Sequence, residues 1–176
     1  MSDNREPNEV FLSLRGKVLG LDPAGRALTG AAATSFAAEV AIAPSPRLPR
    51  VWAVLMETGY PGAVATLAAL ADGTTSLYLS SGGGMIGAGG QPQVAAATLR
   101  LLDVAERYLD RLPATLDTAL PAAGRVVLRA LTYDGQQADE ADEDDLGYGR
   151  HPLSPLFHAA HDVLTELRLI DESRQS

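Results

Sequence analysis

Residues Val51 to Glu57 read Val-Trp-Ala-Val-Leu-Met-Glu and are apolar on both faces of an extended chain. Val51, Ala53 and Leu55 point to one side, Trp52, Val54 and Met56 to the other. Successive side chains of a strand alternate between faces, so such a run fits only at the centre of a sheet covered on both sides. The chain must therefore supply layers above and below this strand, from its own helices or from a second copy.

The flanking pattern supplies a sheet around it. Phe36, Ala38, Val40 and Ile42 alternate with Ala37, Glu39 and Ala41, which predicts a strand before the stiff connector Pro44-Ser45-Pro46 and Pro49. Gly59-Tyr60-Pro61-Gly62 reads as a turn and Ala63 to Ala71 as the next strand. Asp72-Gly73 is a hairpin signal, with Thr75 to Ser80 returning antiparallel. A last strand spans Arg125 to Thr132, with Val126, Leu128 and Ala130 facing one way and Arg125 and Arg129 the other.

Three helices are predicted. The first, about 8–20, has Pro7 at its entry and Val10, Leu14, Val18 and Leu21 as its stripe, with Phe11 beside them. The second, about 92–112, sets Val94, Thr98, Leu101, Leu102, Ala105, Tyr108, Leu109 and Leu112 on one face and its charges on the other, and Pro113 ends it. The third, about 153–168, buries Leu153, Leu156, Phe157, Ala160, Val163, Leu164 and Leu167. The expected fold is α+β: an antiparallel sheet of four to five strands (a meander over 36–80 plus strand 125–132) with these three helices packed on it. A chain of 176 residues suits a single domain over 1–176. Residues 1–9 are expected to be frayed, and 134–149 to form an acidic, mobile loop.

Charge narrows the partners. With 14 basic and 22 acidic residues the net charge is −8, and no basic face is available for phosphates, so nucleic acid is not an expected partner. Asp139, Glu140, Asp142, Glu143, Asp144 and Asp145 concentrate the acid and are a possible contact for a basic protein partner. Without cysteine the chain has no disulfide, thiolate nucleophile or Cys-held metal, which suits a reducing, cytoplasmic setting. No basic-then-apolar leader opens the chain, and no stretch is apolar and long enough for a membrane span. The 29 alanines against one lysine suggest a GC-rich, bacterial source.

The feature closest to chemistry is the run Ser80-Ser81-Gly82-Gly83-Gly84-Met85-Ile86-Gly87-Ala88-Gly89-Gly90, leading into the 92–112 helix. Glycines admit positive φ and close backbone approach, and a helix N-terminus favours an anion. Ser80, Ser81, Gly82, Gly83, Gly84, Gly87, Gly89 and Gly90 are therefore the candidate ligand-binding residues, for a phosphate or carboxylate. The spacing Gly82-x-Gly84-x-x-Gly87 matches the dinucleotide pattern by letter, but the preceding strand belongs to a hairpin rather than a βαβ unit, and no P-loop Lys follows. The other reading of the run is a bulged strand with closely packed backbones.

His151, His158 and His161 lie within eleven residues, near Asp162, but without the matched ligand spacing of strong metal motifs. No Gly-x-Ser-x-Gly elbow is present, no catalytic residues are assigned, and no cofactor fingerprint appears. The expected function is a non-catalytic binding or regulatory module acting as a homodimer, the apolar surplus of the strands being covered by a second copy. The alternative is a small anionic-ligand protein or enzyme using the glycine run.

Overall fold

A computed structural model describes residues 6–175. The elements are α1 (Glu9–Leu19), α2 (Ser35–Glu39), β1 (Val51–Tyr60), β2 (Ala63–Leu70), β3 (Thr75–Leu79), β4 (Gly84–Met85), α3 (Pro92–Tyr108), β5 (Arg125–Thr132), β6 (Gly135–Asp142), α4 (Glu143–Gly147) and α5 (Ser154–Arg174). Among the described residues, one antiparallel sheet carries all six strands in the order β4-β3-β2-β1-β5-β6. The fold is α+β, with slightly more strands than expected.

The doubly apolar strand is central, and every residue of β1 except Tyr60 is buried. On one face α3 and α5 pack Val94, Leu101, Leu102, Leu156, Phe157 and Val163 against Val54, Met56, Leu67, Val126 and Leu128. On the other, α1 and the α2 segment pack Phe11, Val18, Leu19, Ala37 and Ile42 against Trp52, Leu55, Ala68 and Leu131. A register shift between Val51 and Ala53 in the β1–β5 ladder sets both Trp52 and Ala53 on the α1 side, so strict alternation fails there.

Several expectations are corrected. The 36–42 stretch is not a strand: it folds as α2 and a turn, with Ala37 buried and the Phe36 ring tilted against Trp52 with centroids 6.4 Å apart. Alternation carried largely by alanine is weak strand information, and alanine is the best helix former. β1 also has both its neighbours already, in β2 and β5. The 134–149 stretch is not a mobile loop. Gly135–Asp142 pairs with β5 along its whole length, and Asp142 caps α4 through bonds from the Asp144 and Asp145 N–H groups. β6 lacks β-branched and aromatic residues, so propensity hides it, and pairing with the buried β5 decides its state. Residues 1–5 of the expected frayed terminus lie outside the described residues, while Asn8 caps α1 by accepting the Val10 N–H at 2.8 Å. α5 runs on past 168, with Ile170 buried.

The stripe of α1 is also rotated from the expected one. Val10 is 64% exposed, and the buried face is Phe11, Arg15, Val18 and Leu19. Arg15 hides this face in the sequence because an arginine reads as solvent-facing. It lies over Glu57 of β1, which is fully buried. Arg15 Nε and Nη2 donate to the two Glu57 carboxylate oxygens at 2.6 and 2.9 Å, Nη2 also donates to the Thr118 carbonyl, and Thr66 Oγ1 donates to the same carboxylate. Buried Arg129 lies on the same sheet face; its Nη1 donates to Gln136, whose amide donates to the Leu19 carbonyl at the end of α1. Burial pushes the Arg129 guanidinium below its ordinary range, opposed by Glu57 and assisted by Arg15.

Removing one partner of a buried ion pair strands the other. Glu57→Ala is expected to lower unfolding free energy by about 3–5 kcal/mol. Lys17→Ala, at the exposed Lys17–Glu39 pair of 2.8 Å, should change it by less than about 1 kcal/mol. Urea unfolding of both variants checks the contrast.

Candidate functional site

The glycine run wraps the outer edge of the sheet rather than gathering at one point. Ser80 closes β3 as a staple: its N–H donates to the Val64 carbonyl, its hydroxyl accepts the Val64 N–H at 2.7 Å, and its carbonyl accepts the Asn8 N–H at 2.7 Å. Ser80 is thereby buried, while Ser81 is exposed. Gly82, Gly83 and Gly84 take φ of 103°, 84° and 137° and turn the chain back into β4, which lies along β3 with Leu77 opposite Met85 and Tyr78 opposite Gly84. At the far end of β3, Gly87 donates its N–H to Ser76 Oγ, and a 3-10 turn over Ala88–Gly90 leads to α3. Gly89 sits against the β2–β3 turn, where a Cβ would meet the Gly73 carbonyl oxygen at 2.2 Å.

The eight candidate residues thus form two groups, separated by the length of β3, roughly 16 Å for five residues. Ser80, Ser81, Gly82, Gly83 and Gly84 lie at one end, Gly87, Gly89 and Gly90 at the other. The α3 N-terminus belongs with the second group, and Gln91, its N-cap, makes no side-chain capping bond. The helix end near Gly82 is that of α1, already capped by Asn8. Gly84 and Gly89 are required by backbone contact, since a Cβ on Gly84 would sit 2.0 Å from the Leu77 oxygen. Gly90 has open space around it and no positive φ.

The first group does build a concave surface. Gly82, Gly83 and Gly84 join Val10, Phe11 and Leu14 of α1, Tyr78 and Leu79 of β3, and Ile86 around a groove of about 180 Å³, with Asn8 at its end. Val10 is 64% and Ile86 67% exposed. Among the described residues that line this groove none carries a charge.

The histidines serve the surface and the α4–α5 contact. His151 Nδ1 accepts the Leu153 N–H, and His158 Nε2 lies 3.2 Å from the Gly147 carbonyl. His161 packs at a tilt against Phe157, with ring centroids 4.2 Å apart, and its Nε2 is buried with no hydrogen-bond partner among the described residues. Burial, then the neighbouring His158, hold its pKa below the ordinary histidine value, against a smaller upward pull from Asp162. Among the described residues no three His, Asp or Glu side chains gather as metal ligands. The acidic run is divided between β6 and α4. Glu140 pairs with Arg125 at 2.8 Å and Asp145 with Arg150 at 2.8 Å, while Asp142 caps α4. The charged cluster that sequence reading missed is Arg15–Glu57–Arg129. Its signal was present: two charges, Glu57 and Arg129, stand in the apolar interior of their strands.

Gly84→Ala is expected to destabilise by roughly 2–3 kcal/mol through its contact and its φ, and Gly90→Ala to stay within about 0.5 kcal/mol. Thermal melts of the two variants separate packing glycines from spare ones. His161 binds its proton less readily folded than unfolded, so stability present above the ordinary histidine pKa of about 6.5 is lost as pH falls below it. The melting temperature of His161→Leu should therefore fall less than that of the parent between pH 7 and 5.

Comparison of the chain with protein-family models, curated proteins and solved structures yields no match.

Proposed function

We propose that the protein is a non-catalytic binding or regulatory module that works as a homodimer through the face formed by α1 and β4. The observation that carries this reading is the groove beside Gly82–Gly84, apolar and flanked by the exposed Val10 and Ile86. Two copies of a chain with net charge −8 repel over most of their surfaces, and an uncharged face is where they approach at least electrostatic cost. The same absence of cations among the described lining residues gives less support to the anionic-ligand reading. Among the described residues no helix is long and apolar enough to cross a membrane, and the lack of cysteine suits a cytoplasmic setting.

Native mass spectrometry of undialysed protein tests this reading. The expected species is a dimer of twice the 18.4 kDa chain mass, shifted to monomer by Val10→Asp. A monomer at micromolar concentration overturns the reading, and a reproducible small-molecule adduct on that monomer would favour the ligand alternative.

A further inference from the structure

The two edges of the sheet are finished differently. At β6 the Ala138 N–H donates to the Pro113 carbonyl, the Thr115 N–H donates to the Gln136 carbonyl, and the Asp139 carboxylate takes the Glu140 N–H at 2.9 Å. The connector after α3 and the acidic side chains thus occupy that edge, which is how sheets avoid unwanted pairing. At β4 the residues Gly84, Met85 and Ile86 bring no charge, no proline and no covering segment among the described residues. The Leu79 N–H donates to the Gly83 carbonyl and Met85 lies opposite Leu77, so Gly83 and Met85 turn their backbone groups toward β3. β4 ends at Met85, and continuing its antiparallel alternation by one residue turns the N–H and C=O of Gly84 and Ile86 outward.

On this basis, and resting on the homodimer reading above, we infer that two copies join edge to edge through β4, antiparallel about a two-fold axis at Met85. Gly84 of each copy then lies opposite Ile86 of the partner subunit, and the outward groups of both exchange four N–H···O bonds. Directly opposite residues project to the same face of a sheet. Ile86 of the partner subunit therefore projects to the α1 face beside Gly84 and reaches the groove that Gly84 lines. The groove, about 180 Å³, has room for one branched side chain, since a cavity of roughly 150 Å³ admits benzene. Each copy supplies one such side chain and one groove, which is the self-complementarity a two-fold contact requires.

Charge favours this edge over the other. β6, which carries Asp139, Glu140 and Asp142, lies five strands from β4. In the joined sheet the two acidic edges stand roughly 50 Å apart at about 4.8 Å per strand, far beyond the Debye length of about 8 Å.

The cysteine-free chain allows a direct test. At the two-fold axis the Met85 positions form a non-hydrogen-bonded pair with Cα atoms about 4.5 Å apart, within disulfide range. Under mild oxidation Met85→Cys should cross-link into a dimer, while Glu140→Cys, on β6, should not. Ile86→Asp, at a position 67% exposed and so tolerated by the fold, should weaken the dimer by about 100-fold in sedimentation equilibrium. A parent protein that is dimeric, with Met85→Cys not cross-linking and Ile86→Asp still dimeric, overturns edge pairing and leaves the homodimer reading standing. A monomeric parent removes both.

Discussion

The contact between Arg15 and Glu57 governs the layout of one whole side of the molecule. A carboxylate at the centre of a six-stranded sheet is tolerable only when its charge is met and its oxygens are bonded. Arg15 does both, and Thr66, directly opposite on β2, adds a further bond. The pair also selects one placement of α1, because sliding the helix by a turn would leave two buried charges unmatched. Arg129 and Gln136 repeat the device at the end of the helix, through the Leu19 carbonyl. With α1 held over β1 and β5 and its first turn reaching Tyr78 of β3, its flank stops short of β4, and the groove at Gly82–Gly84 is the space left over.

The parts of this architecture written in periodicity were legible. The doubly apolar β1, the amphipathic α3 and the Asp72-Gly73 hairpin each follow from local pattern, and each is found near its expected bounds. The parts decided by tertiary pairing were not. β6 reads Gly-Gln-Gln-Ala-Asp-Glu-Ala-Asp, with almost nothing apolar, and becomes a strand because β5 needs a second neighbour. The face of α1 was misread because its central buried residue is an arginine, whose partner lies forty-two positions away. Long-range ion pairs leave no local period, and only the charge standing inside an apolar strand hints at them.

The candidate site shows the same division. Composition drew attention to the glycine run, and the run does shape a groove, but by a route that its spacing did not reveal. Gly84 and Gly89 are there because carbonyl oxygens of Leu77 and Gly73 pass where a Cβ would be. The chain follows the sheet edge for the length of β3, so residues adjacent in the run face different ends of the molecule. A helix N-terminus after a glycine loop suggests an anion site only if the loop returns to it, and here β4 intervenes.

The unequal finishing of the two sheet edges bears on how far assembly can proceed. A sheet with two open edges is a monomer for polymerisation, able to add a copy at either side without end. Blocking β6 with the connector and with carboxylates leaves, among the described residues, a valence of one. In the proposed pair, a two-fold contact at β4 would consume the available edge of both participants, and growth would terminate there. Freeing the β6 edge would raise the valence to two and open a path to filaments, which makes the acidic strand a terminator as much as a structural element.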